Sequence, residues 1–205
     1  MIDPEILYAD DDFLVLAKPA GTLVHAIRSY LQGEETIASW LKKRYPAVAT
    51  VGDEPESRPG IVHRLDRDTS GVLLVALRQE SFEYAKKLFQ SHEIQKEYRA
   101  LVWGSLEKEA GRISLPIGLR PGTTKRTTVL KAARMVKEAV TEYRVLGRFS
   151  FADEPLSLLS VFPKTGRTHQ IRVHFSSLGH PVLHDQLYGG RMRFLKSKEL
   201  GLARQ

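Results

Sequence analysis

Apolar runs of only three to six residues, broken by clusters of charge, most restrict the fold open to this 205-residue chain. Ile6–Tyr8 and Phe13–Ala17 read as two short strands around an Asp-Asp-Asp turn, and Val72–Ala76 reads as a buried strand. Glu97–Trp103, parts of Arg126–Lys131, Ala139–Leu146 and Leu156–Val161 alternate in the same manner. Helical spacing is confined to three places. Thr36 to Tyr45 carries Ile37 and Leu41 four apart, with Lys42, Lys43 and Arg44 in its last turn and Pro46 as its stop. Glu80 to Ser91 gathers Phe82, Ala85, Leu88 and Phe89 on one face. Thr168 is placed to cap a helix reaching Leu178, with Ile171, Phe175 and Leu178 as its buried stripe and Gly179 and Pro181 as its stop. Residues 50–60 form a loop. Strands and helices mix without a regular βαβ rhythm, so the expected class is α+β.

Composition removes several function classes. The chain contains no cysteine, which excludes disulfides, thiol nucleophiles and cysteine-based zinc sites. No stretch approaches the roughly 18 apolar residues a membrane helix needs. The opening MIDPEILYADDD is acidic where a secretory signal is basic and then apolar, so a cytoplasmic protein without a membrane partner is expected. Charge is uneven. Residues 1–60 hold ten acids and six bases, a net of −4, whereas the remainder holds 25 bases against 14 acids, or +11. Residues 118–137 contain Arg120, Lys125, Arg126, Lys131, Arg134 and Lys137 and no acid, and eight bases follow from Lys164 onward. Such a concentration fits a polyanionic partner, although a solvated surface has the same composition.

The segment Gly60–Gly71, GIVHRLDRDTSG, centres on Asp66, which sits between the short apolar Ile61-Val62 and the apolar run Val72–Ala76. Asp, Ser and Gly also make ordinary tight turns. Here His63, Arg64 and Arg67 place cations within three residues of Asp66, and an adjacent guanidinium favours the ionised carboxylate that a nucleophile or base needs. Two further segments are as dense in polar groups. KEYRA opens a strand, with Tyr98 on the face opposite Glu97 and Arg99. KTGRTHQIRVH joins a strand to a helix on which His169 and Arg172 are three apart and share a face.

HRLDRDTSG, KEYRALVWG and KTGRTHQIRVHFSSLGHPVLHD, in this order and spacing, resemble the three signature blocks of the RluA-type pseudouridine synthases. The resemblance runs from the opening strands with LAKPAG to about Tyr188. It implies an α+β fold, a mixed and mostly antiparallel sheet with flanking helices around an RNA-binding cleft, spanning residues 1–205 as one catalytic domain. It further implies a reaction in which a uridine of structured RNA becomes pseudouridine, without metal or redox cofactor, on a monomer. By the same resemblance Asp66 matches the catalytic aspartate, Tyr98 the tyrosine that stacks on uracil, and Arg172 the arginine that pairs with the aspartate. Ile171 matches an apolar residue beside the base, and Arg64 an arginine that enters the RNA stack. Arg167, His169, Lys125 and Arg126 are the expected RNA contacts. Simpler roles stay open: Tyr98 and Ile171 as core residues, Arg64 as a phosphate contact.

The implied RNA is ribosomal, from the large subunit, with transfer RNA as the alternative. Other classes fit fewer residues. A metal nuclease using Asp66 and Asp68 lacks a clear third acidic ligand and sets arginines beside the cation. His180 and His184 with Asp185 have zinc-like spacing but follow a helix stop. A non-catalytic RNA-binding protein on the same fold leaves Asp66, Tyr98 and Arg172 unexplained. Relatives commonly carry an N-terminal S4-type module and closing strands after a segment such as Gly201–Gln205; this sequence is expected to lack both.

Overall fold

Period-two alternation builds the first sheet. In the computed structural model, which describes residues 2–26, 33–151 and 153–189, β1 (Glu5–Ala9), β2 (Phe13–Lys18) and β3 (Gly71–Ala76) pair antiparallel in the order β1-β2-β3. On β2 every second residue is buried: Leu14, Leu16 and, at the same parity, Lys18. A lysine on the core face of a strand is unusual.

Helix α1 (Ile37–Arg44) begins at Thr36, which exchanges hydrogen bonds with Ser39 in a capping box. Ile37 and Leu41 point into the core, and the run of basic residues expected in the last turn is present. Pro46 opens a short 3-10 turn, Pro46–Thr50. Helix α2 (Gln79–Gln90) buries Phe82 and Ala85. These elements close a core of Leu14, Leu16, Ile37, Leu41, Leu73 and Val75 within the first of two compact units, residues 1–94. Gly60 marks where the chain leaves that core. Its φ is +66°, a Cβ there would strike the Ala76 carbonyl, and its own carbonyl accepts from the Ala76 amide at 2.9 Å.

The second unit, residues 95–205, is built on a longer antiparallel sheet. Its strands are β4 (Tyr98–Trp103), β5 (Ala110–Ser114), β9 (Val140–Phe151) and β10 (Glu154–Pro163), in the order β4-β10-β9-β5. Between β5 and β9 the chain makes a small three-stranded sheet, β7-β6-β8, from β6 (Ile117–Leu119), β7 (Arg126–Thr127) and β8 (Arg134–Lys137). Helix α3 (Gln170–Ser177) packs Phe175 against Val102, Leu159 and Val161. The segment after α3 then returns to the free edge of β4. Trp103 N donates to Pro181 O at 3.0 Å, Leu183 N to Leu101 O at 2.7 Å, and His180 Nδ1 meets Trp103 O at 2.8 Å.

The α+β class and the antiparallel pairing agree with expectation, as does strand in part of Arg126–Lys131, where the two-residue β7 gives way at once to the 128–133 connection. Two local expectations are corrected. Thr168 does not cap α3; His169 holds the N-cap position with φ +56° and no side-chain cap bond. Gln170 instead braces the turn before the helix, its Oε1 accepting from Thr165 Oγ1 at 2.6 Å and Arg167 N at 3.0 Å. The buried stripe also shifts. Gln170, Val173, His174 and Phe175 are buried, Ile171 is half-buried and Leu178 is exposed. Two polar residues take the inward face because both find partners there. Gln170 Nε2 donates to Val140 O and Thr141 Oγ1, and His174 bridges Thr141 Oγ1 and Leu115 O, each at 2.9 Å. Burial, the larger influence, holds the His174 pKa below its ordinary value despite the Leu115 hydrogen bond. The basic residues from Arg191 onward and the 201–205 segment lie outside the described residues.

Candidate active site

The Asp66 loop lies in the first unit, where the side chains of Lys18 and His63 hold it. Lys18, from the core face of β2, donates to three backbone carbonyls: Thr22 O at 2.6 Å, Pro19 O at 2.8 Å and Arg67 O at 2.9 Å. An ammonium has three protons, so each is used, and the third fastens the residue next to Asp66. Burial lowers the Lys18 pKa to about 8, against the opposing fields of Asp68 and Asp66. At neutral pH the group therefore stays charged. His63 fixes the other arm of the loop. Its Nε2 accepts from the Leu74 amide at 2.9 Å, and its ring stacks on Phe89 with centroids 4.7 Å apart. A nitrogen that accepts carries no proton, so in this arrangement His63 is not the cation expected from sequence.

Asp66 itself is half-buried, and its carbonyl accepts from Thr69 N at 3.2 Å, closing one turn. Of the two loop arginines, Arg67 is committed elsewhere: it pairs with Glu34 at 2.5 Å and donates to Gly21 O at 3.2 Å. Arg64 is exposed. After burial, the positive fields of Arg64 and Arg58 are the influences that pull the His25 pKa down. The loop thus presents Asp66 and Arg64 on a frame anchored at Lys18 and His63.

Replacing Lys18 by Met tests that frame. It removes the donor from three carbonyls and is expected to destabilise the protein by about 3 kcal/mol at pH 7. The same variant reports linkage. Unfolded lysine holds its proton to about pH 10.5 and folded Lys18 only to about 8, so between those values the unfolded state binds more protons and stability rises with pH. Below pH 8 both forms are protonated and this slope vanishes. In urea titrations the wild-type protein should gain roughly 3 kcal/mol relative to Lys18→Met between pH 7.5 and 10.5.

The remaining candidates belong to the second unit. Tyr98 begins β4 opposite Val161 and packs, with Ile171, on the core of that unit. Its neighbours Glu97 and Arg99 pair with each other at 2.7 Å on the other face, as the strand parity requires. Arg172 rises from α3 and is gripped by Asp185: Nε to Oδ2 at 2.7 Å and Nη2 to Oδ1 at 2.9 Å. Arg172 is 14% exposed and Asp185 0%. Oδ1 also accepts from the amides of Leu187 at 2.8 Å and Tyr188 at 3.0 Å, so the carboxylate is well satisfied. Asp185 reaches this place because the 180–183 segment is fixed to β4 just before it. Of the zinc-like set His180, His184 and Asp185, His180 bonds Trp103 O and Asp185 grips Arg172.

Arg167 is half-buried and its Nε donates to Glu138 O at 2.9 Å. Burial, then the positive charge of Arg167, lowers the Lys96 pKa. Lys125 and Arg126 are also half-buried: Lys125 Nζ donates to Leu187 O at 3.3 Å and Arg126 N to the Tyr188 hydroxyl at 2.9 Å. The exposed cations of the small sheet are instead Arg120, Lys131, Arg134 and Lys137. Arg172, His169, Lys125 and Arg126 are thereby gathered around the 185–188 turn. Lys18 and Tyr188 were missed as site residues, while His63 was expected only as a cation beside Asp66 and Asp185 only within a zinc-like spacing. Of the two that were missed, Lys18 carried a signal, its parity with Leu14 and Leu16.

Comparison with known proteins places these features in one family. A model described as RNA pseudouridylate synthase matches residues 12–177. An uncharacterized RNA pseudouridine synthase of Aquifex aeolicus is 40% identical over 197 residues, covering 96% of this chain and 60% of that protein. The ribosomal large subunit pseudouridine synthase D of Pasteurella multocida is 40% identical over 188 residues, covering 92% of this chain and 53% of that protein. The chain therefore spans little more than half the length of these relatives. Among solved structures, human RNA pseudouridylate synthase domain containing 1 superposes with a TM-score of 0.74 at 30% identity, over 96% of this chain and 73% of that one. The chain belongs to the RNA pseudouridylate synthase family, and its fold is the fold of that family.

Proposed function

We propose that this chain is the catalytic domain of an enzyme that converts uridine in large-subunit ribosomal RNA to pseudouridine, with Asp66 as the catalytic carboxylate. The observation that carries the reading is the construction of the Asp66 loop, where a buried lysine and a neutral histidine are spent on holding a half-buried carboxylate in place. The family match over residues 12–177 supports the reaction, and the relatives named for the ribosomal large subunit support the RNA.

The isomerisation breaks the N-glycosidic bond, turns the uracil and rejoins it through carbon 5, so it is redox-neutral. A stacked base must first be flipped out, at a cost of a few kcal/mol. Stacking on Tyr98, worth roughly 1–3 kcal/mol, offsets part of that, and Arg64 fills the vacancy. Asp66 then attacks the sugar, takes a sugar proton, or adds to the ring; each route needs an ionised carboxylate. Arg172 is its proposed ion partner. Because Arg172 already carries Asp185, its contribution to Asp66 is direction more than net charge.

The test is to incubate the protein with large-subunit ribosomal RNA and with transfer RNA and map pseudouridine in each. New pseudouridine in the ribosomal RNA alone supports the proposal, and its appearance only in transfer RNA overturns the choice of RNA. Affinity should rest on the exposed bases of the small sheet. Replacing Lys131, Arg134 and Lys137 by Ala together should flatten the salt dependence of RNA binding, lowering the log–log slope by roughly one for each phosphate no longer neutralised.

A further inference from the structure

Tyr188 lies beyond the residues the chemistry above uses, yet four of the site's groups meet at it. Its ring faces Arg172, with the guanidinium carbon 5.2 Å from the ring centroid. Its amide donates to Asp185 Oδ1, the same carboxylate that grips Arg172. Its hydroxyl accepts from the Arg126 amide at 2.9 Å. The same hydroxyl shares a hydrogen bond with His169 Nδ1, 2.8 Å away, whose ring meets the tyrosine edge-on with centroids 5.6 Å apart. Its carbonyl accepts from Ser176 Oγ on α3 at 3.1 Å.

A bidentate carboxylate fixes a guanidinium within its own plane but leaves that plane able to tilt about the axis joining the two groups. An aromatic face alongside removes the tilt, since the cation lies best over the ring. Ring and carboxylate together leave Arg172 one orientation. The hydroxyl extends the same constraint to β7, which opens the basic segment proposed to bind RNA.

We infer that Tyr188 is a positioning residue: its ring aims Arg172, and its hydroxyl ties that aim to β7. The inference rests on the reading of Arg172 as a catalytic residue. Two substitutions separate the two halves. Tyr188→Phe keeps the ring and removes the hydroxyl; it should retain most of kcat and raise KM for RNA about threefold, the loss one hydrogen bond implies. Tyr188→Leu removes the face as well and should lower kcat about tenfold or more, the effect of a misaimed group.

Solvent exchange of the Arg172 Nε proton, followed by nitrogen-15 NMR, reads the orientation without any turnover. It should be slow in the wild-type protein and in Tyr188→Phe and fast in Tyr188→Leu. Unchanged kcat and exchange in Tyr188→Leu, or a Tyr188→Phe variant as impaired as Tyr188→Leu, overturns the inference. Should Tyr188→Leu not fold, Tyr188→Phe decides alone, since a collapse of its kcat or rapid exchange contradicts the role given to the ring. A wild-type protein that forms no pseudouridine sinks the enzymatic reading, and the exchange comparison still decides the positioning.

Discussion

Asp66→Asn is expected to lower uridine isomerisation by roughly 10⁴-fold or more, as loss of a nucleophile or base does, with RNA affinity within about twofold of wild type. The substitution is nearly isosteric and leaves the loop's anchors untouched: Lys18 still has its three carbonyls and His63 its amide. What disappears is the negative oxygen, which attack on the sugar, proton removal and ring addition all require. Tritium release from uracil-labelled RNA measures the rate, and filter binding measures the affinity. Substantial turnover by Asp66→Asn would remove Asp66 from the mechanism. A variant that loses both binding and melting temperature would show that the loop is structural.

Asp185→Ala is expected to be the most damaging single change to stability in the second unit. It takes the bidentate carboxylate from a guanidinium that is 14% exposed and removes the acceptor of the Leu187 and Tyr188 amides. Breaking a buried pair by removing one partner costs about 3–5 kcal/mol, which in a chain of this size lowers the melting temperature by on the order of 10 °C. Removing both charges, as Asp185→Ala with Arg172→Met, should recover much of the stability and none of the activity. Calorimetry on the single and double variants checks this. A single variant that melts within about 2 °C of wild type would mean the pair contributes little.

The strands and helices were legible because their patterns are local. Thr36 and Ser39 sit three apart and cap α1; Gly179 has φ +82° and ends α3 where expected. Polar residues that face inward were not legible. Gln170 and His174 occupy the buried face of α3 because Thr141, Val140 and Leu115 supply partners, and those lie 29 to 59 residues away in sequence. Arg67 looked like a companion for Asp66, but Glu34, 33 residues earlier, takes it. Lys18 lies just past the expected Phe13–Ala17 strand, yet it continues the alternation of Leu14 and Leu16 and is buried with them. Such conflicts between local preference and the final environment gather at the candidate site.

The return of residues 180–183 to β4 sets a length as well as a position. Arg172 and Asp185 are 13 residues apart, and within that interval the chain finishes a helix, turns at Gly179 and enters register with Leu101 and Trp103. One residue more or less would reverse which side chains face inward along that register and carry the carboxylate away from its arginine. Surface connections ordinarily drift in length with little consequence. This one works as a ruler, and its thirteen-residue span should tolerate substitution far better than insertion or deletion.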